Sequence, residues 1–78
     1  MSQALKDALQ SKYGLTVDNG TFILCQGDIQ ANRARELAKV SSRITHYLLK
    51  IGNVPVAVAY DTRNNIITSI LNPVPIAP

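Results

Sequence analysis

The chain has 78 residues with 46% hydrophobic and 17% charged side chains, which is typical of one small globular domain and excludes a disordered or fibrous protein. A single cysteine and a single histidine exclude an internal disulfide and leave a Cys/His zinc site without enough ligands, so we expect no cofactor and no metal. The formal charge of +3 is compatible with an anionic partner but does not identify one.

The first predicted element is an amphipathic helix. Ser2 is suited to cap its amino end, and Gly14 is suited to the left-handed position that follows its last turn. Its apolar side chains recur at spacings of three and four residues, which is the period of one helix face. These apolar side chains are Leu5, Ala8, Leu9 and Tyr13.

The next segment predicts a short strand and then a second helix. Residues 21–25 form a run of strand-favouring side chains. The carboxylate of Asp28 can accept the free N–H groups of a helix that runs to about Val40, and its charge favours the positive end of the helix dipole. This second helix would present one polar, basic face that includes Arg35 and Lys39.

Three antiparallel strands are predicted at residues 43–51, 54–60 and 66–71. The Gly52-Asn53 pair between the first two is typical of a two-residue hairpin turn of type II′ or I′, which fixes the register. Alternate residues of these strands then form one apolar face, which the helices are expected to cover. The opposite, more polar face carries Ile44, His46, Leu48, Lys50, Pro55, Ala57, Ala59 and Asp61.

The connection between the last two strands leaves two registers open. With a loop at residues 62–65, Thr68 lies on the polar face beside His46; with one more loop residue, Ser69 takes that place. Either register brings a hydroxyl near the imidazole. Pro55 predicts a bulge or a position without a ladder partner, because proline has no N–H to donate.

Together these elements predict one α+β domain over residues 1–72, with two amino-terminal helices packed on an antiparallel sheet of three to four strands. Residues 73–78 alternate proline with other residues and predict an extended tail. The longest apolar run, at residues 54–60, is far shorter than the ~20 residues that span a bilayer. With no amino-terminal signal evident, we expect a cytoplasmic protein without membrane association.

Positive charge is concentrated in one stretch of the chain. Residues 32–50 contain five basic side chains against Glu36 alone, whereas the remainder of the chain has a net charge of −1. Three of these cations, Arg33, Arg35 and Lys39, are predicted to hold an RNA backbone from the second helix. The alternative is a solvated helix face.

His46 is the one side chain that titrates near neutral pH without perturbation, which makes it the candidate general acid or base. Lys50 and Thr68 are predicted on the same face, with Arg43 at the start of the strand. Cleavage of RNA by its own 2′-hydroxyl needs a base, an acid and cations around the phosphate, but no metal. The alternative is that His46 is a polar residue on a half-exposed face.

The carboxyl-terminal part of the chain contains two distinctive stretches, GNVPVAVAYD at residues 52–61 and IITSILNP at residues 66–73. Together they resemble the end of many small toxins of the barnase–colicin–RelE-like ribonuclease superfamily. The resemblance implies one or two helices before an antiparallel sheet, and metal-independent RNA cleavage on the open sheet face. It matches Thr68 to a recurrent position and Tyr60 and Asp61 to the strand end.

Two functions from different classes follow as hypotheses. The first is an RNA-binding protein that acts as a metal-independent, toxin-like endoribonuclease, with an antitoxin as protein partner. The second is a small non-enzymatic protein that binds and modulates a partner protein through its sheet edge or its basic segment. Exposed edges in so short a sheet also make a homodimer reasonable.

Overall fold

The computed structural model describes residues 3–74. Two helices precede a four-stranded antiparallel sheet whose strands lie side by side in chain order, and this α+β arrangement confirms the predicted fold class. The Ser2 cap and the tail beyond Val74 fall outside the described residues. The elements are α1 (Gln3–Tyr13), α2 (Asn19–Gln30), β1 (Arg35–Lys39), β2 (Ile44–Ile51), β3 (Val54–Asp61) and β4 (Ile66–Ile70).

Helix α1 follows the prediction closely. Leu5 and Leu9 are its buried side chains, and they lie on the face that packs against the sheet. Gly14 ends the helix with a φ of +68°, and its N–H donates to the carbonyl of Gln10 at 3.0 Å. Glycine suits this position because a left-handed backbone brings no Cβ clash. Neither helix within residues 3–74 is long and apolar enough to cross a membrane.

The predicted strand at residues 21–25 is wrong, because this stretch is the centre of α2. Asp18 caps the helix, and its carboxylate accepts the N–H of Thr21 at 3.0 Å. Strand propensity is a weak preference that tertiary burial overrides, and here three side chains at helical spacing enter the core. The three buried side chains of α2 are Phe22, Cys25 and Ile29.

The predicted helix from Asp28 to about residue 40 is also wrong, because α2 ends at Gln30. Asn32 has a φ of +60° and takes the left-handed position after the helix. Its N–H donates to the carbonyl of Ile29 at 3.1 Å, and the N–H of Arg33 donates to the carbonyl of Asp28 at 2.8 Å. This pair of bonds is a Schellman motif, which closes the last turn and turns the chain toward β1.

The hairpin between β2 and β3 confirms the predicted turn and register. Gly52 and Asn53 both have a positive φ, +55° and +69°, as a type I′ turn requires. Ile51 pairs with Val54, and the pairing continues without interruption along both strands. The side chains of β2 and β3 are therefore sorted between the two faces of the sheet as predicted.

Both helices pack on one face of this sheet, as predicted. Helix α1 contacts β4, and α2 contacts β2 and β4. Full burial of a large apolar side chain contributes about 1.5–3 kcal/mol, so this single layer of contacts is the main source of stability. The core comprises Leu5, Leu9, Phe22, Cys25, Ile29, Leu49, Val56, Val58, Tyr60, Ile67 and Ile70.

Strand β4 combines features of the two predicted registers. The turn occupies residues 62–65, as in the first alternative. A β-bulge then leaves Thr68 without a partner on β3 and places Ser69 opposite Ala59, as in the second. The Thr68 hydroxyl donates to the carbonyl of Ala59 at 3.3 Å. The bulge therefore shifts every later residue of β4 by one position.

Tyr13 joins α1 to the sheet at the end of β4. Its hydroxyl accepts the N–H of Ala57 at 3.1 Å and donates to the carbonyl of Leu71 at 2.8 Å. Pro55 lies two residues before Ala57 on the same edge of β3, where its missing N–H costs no bond to β2. The prediction of a bulge or of a position without a ladder partner is wrong, because Pro55 pairs with Lys50 in an uninterrupted register.

Candidate nucleic-acid interface

The face of the sheet opposite the helices, called here the outer face, has no helix of residues 3–74 packed against it. Residues paired across antiparallel strands point to the same face, so the register places the members of this face in rows. The outer face carries Arg35, Ala38, Ile44, His46, Leu48, Lys50, Pro55, Ala57, Ala59, Asp61, Ile66 and Ser69.

His46 lies in the middle row of the outer face. Its neighbours in that row are Ala38 on β1 and Ala59 on β3, and Ser69 of β4 follows beyond Ala59. The small alanines leave space on both sides of the half-buried imidazole. Within residues 3–74 this ring forms no hydrogen bond, so both ring nitrogens are free to meet a ligand.

Ser69, rather than Thr68, is the hydroxyl in the same row as His46. One strand separates them, which sets their backbones roughly 10 Å apart at about 4.8 Å per strand. A hydroxyl therefore shares the row of His46, but a strand separates it from the imidazole. Thr68 lies one position away, in the bulge, with its own hydroxyl bonded to the backbone.

Lys50 shares the outer face with His46 but lies four residues farther along β2. At about 3.3 Å per residue, their Cα atoms are roughly 13 Å apart. The two side chains therefore leave the sheet at well-separated points. A longer anion that follows the strand can contact Lys50 and His46 with different parts.

Arg43, predicted to hold a phosphate, is bound to a carboxylate of the protein. Its Nη2 and Nε donate to Oδ2 of Asp61 at 2.8 and 3.0 Å. The other carboxylate oxygen accepts the backbone N–H groups of Arg63 and Asn64. The Arg43 guanidinium, helped by these N–H groups, holds the pKa of the Asp61 carboxyl well below its usual range. Arg43 therefore fastens the β3–β4 turn to the start of β2.

The three cations predicted on a helix face lie elsewhere, because the chain is not helical beyond Gln30. Arg33 is in the connection between α2 and β1 and pairs with Asp28, with Nε 2.9 Å from Oδ1. Arg35 lies on the outer face, whereas Lys39 points to the helix side of the sheet. The three cations predicted on the second helix thus lie in three different places.

Arg35 and Lys50 both line a cleft of about 630 Å³ at the hairpin end of the sheet, called here the basic cleft. Arg33 lines the same cleft from the α2–β1 connection. Leu48 and Pro55 supply apolar lining between these cations. The cleft therefore combines positive charge with an apolar surface.

Two of the three cations in the basic cleft have no carboxylate partner. Among residues 3–74 the ion pairs involve Arg33 and Arg43, and neither Arg35 nor Lys50 takes part. An unpaired Arg–Lys couple beside an apolar surface is suited to bind phosphate oxygens, because both side chains donate charged hydrogen bonds. Arg35 and Lys50 together are therefore the candidate anion site of the basic cleft.

The sequence indicated Arg35 and Lys50 as separate phosphate contacts but did not predict that they line the same cleft. The two meet because Arg35 pairs with Leu48 across the β1–β2 ladder, two residues from Lys50. The sequence signal that was missed is Asn32, which favours the left-handed position that ends a helix. A helix predicted to end at Asn32 would have allowed residues 35–39 to be predicted as a strand.

The other reactive groups of the chain are placed for structure. Cys25 is buried in the core, and desolvation, with a contribution from the negative charge of Asp28, raises the pKa of its thiol to about 11. Such a thiol holds little thiolate at neutral pH and is a weak nucleophile. Within the described residues no group of three or more His, Cys, Asp or Glu side chains is arranged to hold a metal ion.

No protein-family model, curated protein or solved structure matches this chain. The side chains of the outer face and the basic cleft are therefore the guide to function, since one fold supports many functions.

Proposed function

We propose that this protein binds an RNA strand across its outer face and cleaves it, with His46 as general acid or base. One observation carries the proposal: within residues 3–74, a sheet face without a covering helix holds an unpartnered imidazole at its centre and an unpaired arginine and lysine at one end. The resemblance of residues 52–61 and 66–73 to ribonuclease toxins supports the same function.

Binding would depend first on charge. Arg35 and Lys50 contact phosphate oxygens, and the displaced counterions make the affinity fall as salt rises. The outer face carries no aromatic side chain, because Tyr47 and Tyr60 point to the helix side. The RNA is therefore held chiefly through its phosphates, without stacking of bases on aromatic rings.

Cleavage would use the 2′-hydroxyl of the RNA as the nucleophile. His46 as base takes the proton of this hydroxyl, the 2′ oxygen attacks phosphorus, and the bond to the 5′ oxygen breaks, which leaves a 2′,3′-cyclic phosphate. The leaving oxygen takes its proton from solvent. If His46 is protonated instead, the imidazolium donates a proton to the leaving 5′ oxygen, and water removes the proton of the 2′-hydroxyl. Ser69, one strand beyond Ala59 in the same row, contacts a neighbouring part of the RNA.

The direct test is incubation of the purified protein with total cellular RNA in EDTA. We expect fragments that end in 2′,3′-cyclic phosphate for the natural chain and intact RNA for His46→Ala and His46→Gln. The half-buried imidazole has no partner in the fold, so both variants should keep the natural melting temperature. Ser42→Ala, in the exposed β1–β2 turn, is the purification control. Equal cleavage by all four proteins would show a contaminating nuclease and overturn the proposal.

A second function is favoured by the other end of the outer face, near the β3–β4 turn. Val40 and Ile66 are 57% and 45% exposed there, and Ile44 and Asp61 lie between them. An exposed apolar group of this kind is suited to a protein partner rather than to RNA. If RNA stays intact and unbound, we expect Ile66→Asp to abolish capture of a partner protein, while Arg35→Glu leaves it unchanged.

A further inference from the structure

The size and lining of the basic cleft indicate a binding site for a ligand larger than a single phosphate group. Its volume of about 630 Å³ lies within the ~300–1,000 Å³ typical of small-molecule sites. A lone phosphate group does not need an apolar surface, yet Leu48 and Pro55 line the cleft beside Arg35 and Lys50. The lining is therefore suited to a ligand with an anionic group and a flat apolar part.

Two further groups of the cleft can distinguish one ligand from another. Asn53, in the hairpin turn, presents an amide that both donates and accepts hydrogen bonds. Asp28 presents a carboxylate that is 40% exposed and held in place by Arg33. An amide and a carboxylate are the groups that read the polar edges of nucleobases, since carboxylates accept from exocyclic amino groups.

We propose that the basic cleft binds one nucleotide of the RNA as a unit. Its phosphate lies on Arg35 and Lys50, its base lies against Leu48 and Pro55, and Asn53 contacts the base edge. The identity of this ligand rests on the proposed function. Because His46 is not among the residues that line the cleft, the nucleotide in the cleft is not the one that is cut. The cleft thus fixes where along the strand the imidazole acts.

The test uses small ligands and the full chain. Binding of AMP, CMP, GMP and UMP is measured by calorimetry and by amide shifts in NMR spectra, beside ribose 5-phosphate, inorganic phosphate and adenosine. We expect at least one nucleotide to bind more tightly than ribose 5-phosphate, with shifts confined to the cleft and the hairpin. Equal affinity for inorganic phosphate and every nucleotide would overturn the inference, because it would describe an unspecific anion patch.

Three variants assign the contacts. Lys50→Gln should weaken nucleotide binding roughly tenfold, because a hydrogen bond from a charged group is lost. Asn53→Gly should change the preference among the four bases and keep the hairpin, since glycine accepts the positive φ of this turn. Lys6→Gln, on α1, makes the same charge change as Lys50→Gln and should have no effect. Equal losses in the two lysine variants would contradict the assignment.

Failure of this inference and failure of the proposed function give different results. Nucleotide binding in the cleft without RNA cleavage would overturn the nuclease and leave the nucleotide site standing. RNA cleavage that depends on His46 but gives the same cut sites in Asn53→Gly and in Lys50→Gln would overturn the nucleotide site and leave the nuclease standing.

Discussion

The two edge strands of the sheet, β4 and β1, differ in their contacts with the helices. At β4, side chains of the helices meet the edge: Lys12 donates to the carbonyl of Ile70 at 2.7 Å, and Gln26 accepts the N–H of Ile67 at 3.3 Å. Tyr13 bridges β3 and β4 in the same region. Polar groups at this edge are used to fasten the helices to the sheet.

At β1, no helix side chain performs this role among the described residues. All five residues of the strand are exposed, and a bulge between Glu36 and Ala38 interrupts its pairing with β2. The bulge and the charged side chains make the strand a poor template for another chain. On the outer face, the neighbouring strand β2 carries Lys50, which takes part in no ion pair within residues 3–74 and lines the basic cleft.

The cations of this protein fall into two groups, one bonded within the fold and one available to a ligand. Lys12 and Arg43 are engaged by the protein itself, through Ile70 and Asp61. Arg35 and Lys50 are not engaged by any carboxylate within residues 3–74. Substitutions in the helix-covered part should therefore lower stability, and substitutions in the open part should lower ligand affinity while stability is kept.

The largest effect is expected for Phe22→Ala in the core. Phe22 is 1% exposed, and its truncation should lower the free energy of unfolding by about 3–5 kcal/mol, measured by urea denaturation. The control is its neighbour, Ile23→Ala. Ile23 is 67% exposed on α2, so its loss should change the stability by less than about 0.5 kcal/mol. Similar effects for both would contradict the helical placement of residues 21–25.

Tyr13→Phe should lower the free energy of unfolding by about 1–3 kcal/mol, because the N–H of Ala57 loses its partner away from solvent. The ring and its packing are unchanged, so the loss isolates the hydroxyl bridge. Amide hydrogen exchange at Ala57 should accelerate more than exchange at Leu49 on β2. An unchanged exchange rate at Ala57 would show that the bridge does not hold this edge.

Arg35→Glu combined with Lys50→Glu should weaken RNA binding about tenfold or more at low salt and leave the melting temperature nearly unchanged. The slope of log affinity against log salt should become shallower by about 0.7 for each cation removed. Lys6→Glu with Arg63→Glu is the matched control, on α1 and in the β3–β4 turn. Equal weakening by both pairs would mean that total charge, and not the basic cleft, attracts RNA.

The smallest effect is expected for the pH dependence that Asp61 confers. Its folded-state pKa lies below the value of the unfolded chain, chiefly because of Arg43. Stability from this carboxylate is therefore present above its ordinary pKa of about 4 and is lost as pH falls toward the folded-state pKa. Asp61→Asn should flatten the decline of melting temperature between pH 5 and 2. A decline as steep as in the natural chain would exclude this role.

The hairpin of β2 and β3 could be predicted because its signals are local. Gly52 and Asn53 favour the positive φ values that a type I′ turn needs, and the turn fixes the register of both strands. The face that carries His46 and Lys50 follows from this register by simple alternation. Helix α1 was predictable for a similar reason, since its apolar period and Gly14 lie close together in the chain.

Residues 21–40 were assigned wrongly because local preference and tertiary contacts disagree there. Strand-forming residues at 21–25 became helical once Asp18 capped the helix and Phe22 entered the core. Helix-forming residues at 35–39 became a strand because the free edge of β2 offered backbone hydrogen bonds. Asp18 and Asn32 were the local signals that could have corrected both assignments.

The sequence by itself determined the α+β class, the hairpin and the position of His46 on the more polar face, since each depends on neighbouring residues. The tertiary structure alone decided that Arg35 and Lys50 line one cleft, that Arg43 is bound to Asp61 and that Ser69 shares the row of His46. These contacts join residues distant in the chain, through a strand pairing and a bulge whose stability depends on the whole sheet.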